Sequence, residues 1–235
     1  DDPVGDVHRV LLSERALNSA PGAADEPSRP QLRSRIHEIE RMKGAPMTPL
    51  ALGPPVMEPV TLTEARQFLR LDQTDEDALL ATLITAARLM IEAAAGRCLS
   101  EQPWRIVLDR WPAGGVIRLP LSPLLRIEAA RVYDVLGAAQ AVATASLTPD
   151  KAADPPVIRL TGEVPEIGRA HGAIEIDIVV GFGATAAAVP APLRQAVLRL
   201  AARWFEQRGD VAGRDAQALP AAIAALVAPF RRGRL

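Results

Sequence analysis

The stretch from Ile174 to Arg208 constrains this chain most, because it couples a strand to a helix through a hinge. Ile174, Ile176 and Ile178 alternate with Glu175 and Asp177, the two-residue period of a strand with one face buried and one in water. Gly181 and Gly183 end that strand, since glycine accepts backbone angles that other residues avoid. Pro190 and Pro192 pre-set the first turn of the following helix. In that helix Leu193, Val197, Leu200 and Trp204 recur as one apolar stripe, widened by Leu198 and Phe205. Gln195, Arg199, Arg203 and Glu206 take the opposite face, and Gly209 supplies a stop. A fold built on this unit needs a sheet to extend and a helical layer to cover.

The preceding chain supplies both. Thr61 and Glu64 have capping-box spacing ahead of a short helix running through Leu71, and Thr74 and Asp77 repeat the signal. Leu79, Leu80, Leu83, Ile84, Ala87, Met90, Ile91 and Ala94 then form a broad helical stripe closed by Gly96. The middle is β-rich. Trp104, Ile106 and Leu108 alternate with Arg105 and Asp109, Ile117 to Leu119 is short, and Leu125 to Val135 turns at Gly137 into Gln140 to Leu147. TPDKAADPP reads as a loop, and Val157 to Leu160 as another strand. Short strands at this spacing predict an antiparallel sheet or small barrel. The expected fold is α+β: amphipathic helices at both ends, packed as a bundle around or beside an antiparallel β-rich insertion.

Residues 1–57 read differently. Two amphipathic patterns, Val7 to Leu17 and Leu32 to Met42, precede the Pro- and Gly-rich KGAPMTPLALGPPVMEP, which predicts no regular element. The division expected is a poorly ordered leader over 1–57, a helical pair over 58–98, the β-rich insertion over 99–180, and C-terminal helices with a basic tail over 181–235. The last segment packs with 58–98 as one domain. Met42, Met47 and Met57 are candidate starts of a working protein without the leader.

Composition narrows the function. The net charge is −1, so no global attraction to nucleic acid or membrane is implied. Cys98 is the one cysteine, which excludes an internal disulfide and fits a reducing compartment. No run approaches the ~18 apolar residues of a membrane span. His8, His37 and His171 lie far apart with no ligand at metal spacing, so neither a metal nor a cofactor is expected. The same scarcity leaves no catalytic residue to name, and the chain reads as not an enzyme. Asp75, Glu76 and Asp77 open a helix, where negative charge suits the dipole. Ser122 has no base beside it, and Trp104, Trp111 and Trp204 read as core or sheet-edge residues. GFGATA matches part of a dinucleotide fingerprint, but Val189 to Pro192 delay the helix whose amides a pyrophosphate needs.

The carboxyl end stands apart. Leu219-Pro220 starts a helix with Ile223, Leu226, Val227 and Phe230 on its apolar side, and Arg231, Arg232 and Arg234 follow with no acid near them. From Pro190 onward eight arginines face three acids. Phe230 and Leu235 read as apolar plugs, with the arginines placed to pair acids or phosphates.

Taken in order, EPVTLTEARQFLRLD, DEDALLATLITAARLMIEAAAGR, the β-rich middle, IDIVVGFG…VPAPLRQAVLRLAARWFEQRGD and LPAAIAALVAPFRRGRL resemble the head–tail connector (adaptor) family of long-tailed bacteriophages and related prophage-derived or gene-transfer particles. The resemblance spans Glu58 to Leu235. It implies a structural protein of the virion, a homo-oligomeric ring, typically twelve-fold, below the portal. The ring extends the DNA channel, through which DNA passes without sequence-specific binding, and offers a platform to a stopper or tail-completion protein. No membrane is involved, and assembly takes place in the bacterial cytoplasm. Phe230, Arg231, Arg232, Arg234 and Leu235 become the expected portal interface. The alternative is a DNA-binding packaging or regulatory module using the same arginines, which requires strongly salt-dependent affinity.

Overall fold

The computed structural model describes residues 47–207 and 219–231, all within the unit Gly44–Leu235. The patterns at Val7 to Leu17 and Leu32 to Met42, the stop at Gly209, and His8, His37, Arg232, Arg234 and Leu235 lie outside the described residues.

Eight strands form two antiparallel sheets among these residues. The larger has the order β1 (Met47–Ala51), β2 (Gln102–Leu108), β8 (Ile174–Val180), β4 (Leu124–Tyr133), β5 (Ala139–Val142). The smaller joins β3 (Val116–Arg118), β7 (Val157–Leu160) and β6 (Leu147–Asp150). The alternation in β8 sets the larger sheet. Ile106 faces Ile176 and Leu108 faces Ile174 across β2 and β8, and these side chains are buried with Ile178, Ile117, Ile158 and Leu147 in one apolar core shared by both sheets. β4 stays in phase with β8 through two irregularities, between Leu124 and Arg126 and between Ile127 and Ala129. An extra residue flips every later side chain to the other face. Two such shifts keep Leu124, Ile127 and Ala130 on the core side.

Two expectations about this half need correction. KGAPMTPLALGPPVMEP does hold a regular element: β1 pairs with β2, placing Pro49 opposite Ile106. A proline cannot donate to a ladder, so it is tolerated on an edge strand, which is where β1 lies. Beyond it the Leu52 amide donates to the Pro103 carbonyl at 3.1 Å and the Val56 amide to the Glu101 carbonyl at 2.8 Å. Likewise, Thr148, Pro149 and Asp150 are strand rather than loop, paired with Arg159, Ile158 and Val157.

The helices build a second core. α1 (Leu62–Leu69) begins with the expected capping box: the Thr61 hydroxyl accepts from the Glu64 amide at 3.1 Å, and the Glu64 carboxylate accepts from the Thr61 amide at 2.8 Å. It stops at Leu69 rather than Leu71, because Arg70 takes a left-handed conformation with φ of 57°. α2 (Asp77–Ala95) ends at Gly96 as expected, with φ of 67°, but its N-cap is Glu76 rather than Thr74, with no side-chain capping hydrogen bond, so Thr74 and Asp77 form no capping box. α3 (Ala191–Glu206) and α4 (Ala221–Val227) complete the layer, followed by a 3-10 turn over Ala228–Phe230. Leu80, Ile84 and Ile91 of α2 meet Leu193, Val197, Leu200 and Phe205 of α3 and Ile223 and Val227 of α4. The stripe on α3 is therefore centred on Phe205, while Trp204 is half-buried. Arg199 and Arg203 face water.

α2 also corrects the statement that no run approaches a membrane span. By length and composition it is apolar enough to cross one, yet its buried side belongs to the protein's own helical core.

Candidate assembly interface

Between the two cores runs a polar network that the apolar stripe of α2 conceals. Arg88, with its side chain 5% exposed, donates to Glu58 and to Glu92, both at 2.8 Å. Glu92 also accepts from the Leu99 amide at 2.7 Å and from Gln102 at 3.1 Å, and Gln102 accepts from the Trp104 indole at 3.2 Å. Burial pushes the Glu92 carboxyl up, against the opposing pull of the Leu99 amide, Arg88 and Gln102. A buried charge requires such partners, since an unpaired one costs several kcal/mol. The sequence carried one sign of it: Arg88 and Glu92 stand four apart in a helix whose one other charge is Asp77 in the first turn.

The hinge after β8 completes the junction. Gly181 has φ of 119°, and a Cβ there would lie 2.2 Å from the Ser100 carbonyl oxygen. The Gly181 amide donates to the Pro123 carbonyl at 2.9 Å and the Phe182 amide to the Leu99 carbonyl at 3.0 Å. The first amides of GFGATA are thus already bonded, and the glycine admits a close backbone approach instead of a pyrophosphate.

The expected portal-facing residues are only partly brought into view. Phe230 is half-buried and packs against the helical core rather than standing free as a plug. Its carbonyl accepts from Arg97 Nε at 2.7 Å, and the same guanidinium reaches the Ser122 hydroxyl at 2.8 Å and the Asp154 carboxylate. Arg97 therefore ties the C-terminal turn to loops of the β-rich half. Sequence reading missed this residue, because its partners lie 25, 57 and 133 positions away. Arg231 is exposed and extended, φ −64° and ψ 135°, where the chain leaves this anchor.

On the outer face of the larger sheet the charges are closed upon one another. Arg105 meets Asp177 at 2.6 Å and Glu175 at 3.2 Å, and Arg131 meets Asp177 at 2.7 Å and Glu175 at 3.5 Å. Burial works to raise the Asp177 carboxyl, but Arg105 and Arg131 outweigh it and hold the group below its ordinary value. Among the described residues no group of three or more His, Cys, Asp or Glu is placed to hold a metal ion. His171 lies 3.6 Å from Asp109 on the surface. Large apolar side chains are exposed on the outside of α2, at Leu50, Leu52, Val56 and Phe68, and at Val135 and Leu136, which stand at the tip of the β4–β5 hairpin because β4 ends at Tyr133 rather than Val135.

No protein-family model matches the chain, and no curated protein matches it. Solved structures do. A chain in the neck of an empty gene transfer agent (GTA) particle, computed with C6 symmetry, is 33% identical, with a TM-score of 0.67, over 80% of this chain and 97% of that one. A chain of the native GTA virion is 30% identical, with a TM-score of 0.68 and the same coverage. One in the neck of the native GTA particle, computed with C12 symmetry, is 32% identical, with a TM-score of 0.63, over 81% and 97%. With that identity sustained over nearly the whole of each of those chains, and with the mixed α+β architecture described above, this chain belongs to the head–tail connector (adaptor) family.

Proposed function

We propose that this protein is the adaptor of a phage-like particle, a ring of twelve copies seated beneath the portal at one capsid vertex. The observation that carries the reading is the 33% identity over 97% of a chain in a gene transfer agent neck, and the C12 symmetry of a related neck supports the copy number. The role is architectural. The ring lengthens the channel through which DNA passes, without reading its sequence, and gives a stopper or tail-completion protein a platform. Assembly takes place in the bacterial cytoplasm, before the particle is released.

The portal contact is assigned to the C-terminal segment. Phe230 is its root, packed on the helical core and held at its carbonyl by Arg97. Arg231, Arg232, Arg234 and Leu235, which follow it in the sequence, are the hook, the arginines pairing with acids on the portal and Leu235 entering an apolar recess of it. The test is capture on DNA-free portal rings. Removing residues 231–235 while keeping Phe230 should leave the melt unchanged and abolish capture. Capture at the wild-type level, with loss of a salt-sensitive DNA affinity instead, would contradict the hook and favour the DNA-binding module.

A further inference from the structure

A helix with one side in water ordinarily shows charge there. The outward side of α2 shows none: Ala78, Leu79, Thr82, Leu89, Met90 and Ala93 occupy it, while Arg88 and Glu92 turn toward the interior. Beside its N-terminal half lies a cavity of about 250 Å³ walled by Met57, Val60, Leu62, Ala81 and Ile84 together with the polar Glu58, Thr61 and Thr85. That is smaller than the ~300–1,000 Å³ of small-molecule sites, and suits one or two aliphatic side chains better than a cofactor.

The converse feature stands at the hairpin tip. Val135 is 79% exposed and Leu136 91% exposed, on a turn that is held firmly. The Asp134 carboxylate accepts from the amides of Leu136 and Ala138, both at 2.9 Å. The Gly137 amide donates to the Asp134 carbonyl at 3.0 Å, with Gly137 at φ of 81°. Behind the turn the Arg169 guanidinium lies 3.9 Å from the centroid of the Tyr133 ring. Two large apolar side chains on an ordered turn lose little freedom when they bind.

We propose that Val135 and Leu136 of one copy seat in the cavity beside α2 of the next copy, a plug-and-socket contact between ring neighbours. The proposal rests on the ring reading above. Ring contacts are head-to-tail, so each copy must carry two different and complementary surfaces. Among the described residues Val135 and Leu136 are the most exposed large apolar side chains, the cavity beside α2 is a recess, and the cavity walls do not include the hairpin tip. Val135 and Leu136 bring no charge to the cavity, and the one carboxylate in its wall, Glu58, is already paired with Arg88 at 2.8 Å and accepts from the Thr85 hydroxyl at 3.0 Å.

The test is a disulfide in assembled particles. Full-length protein carrying Leu136→Cys with Ala81→Cys should, on mild oxidation, give a ladder of multimers of this chain, and neither single variant should. The native Cys98 is buried, so wild type should give none. In particles that contain the ring, absence of the ladder would overturn the contact, and so would cross-linking of Leu136→Cys to a different neck protein. A second variant, Leu136→Asp, should melt like wild type and enter particles at least ~10-fold less well in competition, since 1.4 kcal/mol is a factor of ten. Equal entry would overturn the contact as well. Failure of the ring reading itself looks different: wild-type protein would be missing from the neck of the same particles.

Discussion

Around the sheet core, the solvent-facing positions of β2, β4 and β8 carry two arginines and two acids that neutralise one another. Around the helical core, the outward side of α2 carries no charge at all, and Arg88 and Glu92 of that helix pair inside. One face is complete in a single copy. The other leaves apolar surface in water, the usual mark of a surface awaiting a partner. The sheet half and the helical half are each stabilised by a buried apolar core but present different surfaces to water.

The comparison breaks most visibly inside the helical core. Phe205→Ala should cost about 3–5 kcal/mol, the usual loss for emptying a buried aromatic site, and Trp204→Ala, at a half-buried position, distinctly less. Urea unfolding of the two variants decides it, and the reverse order would shift the phase of α3. Next comes the contrast between the two ion networks. Arg88→Ala strands Glu92 and Glu58 and should cost about 3 kcal/mol. Arg105→Ala, on the open sheet face, should cost no more than about 1 kcal/mol.

A smaller effect concerns the edge. A chain starting at Met57 loses β1 and bares β2, and its melting midpoint should fall by ~4 °C or more, roughly 1 kcal/mol in a domain of modest size. An unchanged midpoint would show that β1 adds nothing to the sheet. The smallest effect is in acid. Asp177 titrates below its ordinary 3.8 in the folded protein, so its contribution is present above that value and is lost as pH falls through the folded value. Asp177→Asn should therefore lower stability at neutral pH and flatten the acid limb of the pH–stability curve.

How far the sequence could be read follows from where each signal resides. The isoleucines of β8, the Thr61–Glu64 box and the stop at Gly96 are local patterns, and they are where the periodicity places them. Pro49 misled because a proline speaks against a central strand, and only the pairing reveals that β1 is an edge. Trp204 and Phe205 are adjacent and both apolar, so the partners on α2 and α4 decide which one is centred. The Arg97 anchor and the hairpin plug were hidden for the same reason: their meaning depends on segments far away along the chain.

The most direct measurement is a reconstruction of the neck from purified particles without imposed symmetry, with this protein identified by a fused tag. One ring of this chain is expected at a single vertex, between the portal and the tail, with the outward side of α2 covered by the neighbouring copy. Copies spread over the whole capsid surface, or a ring in which that side of α2 faces open solvent, would contradict it.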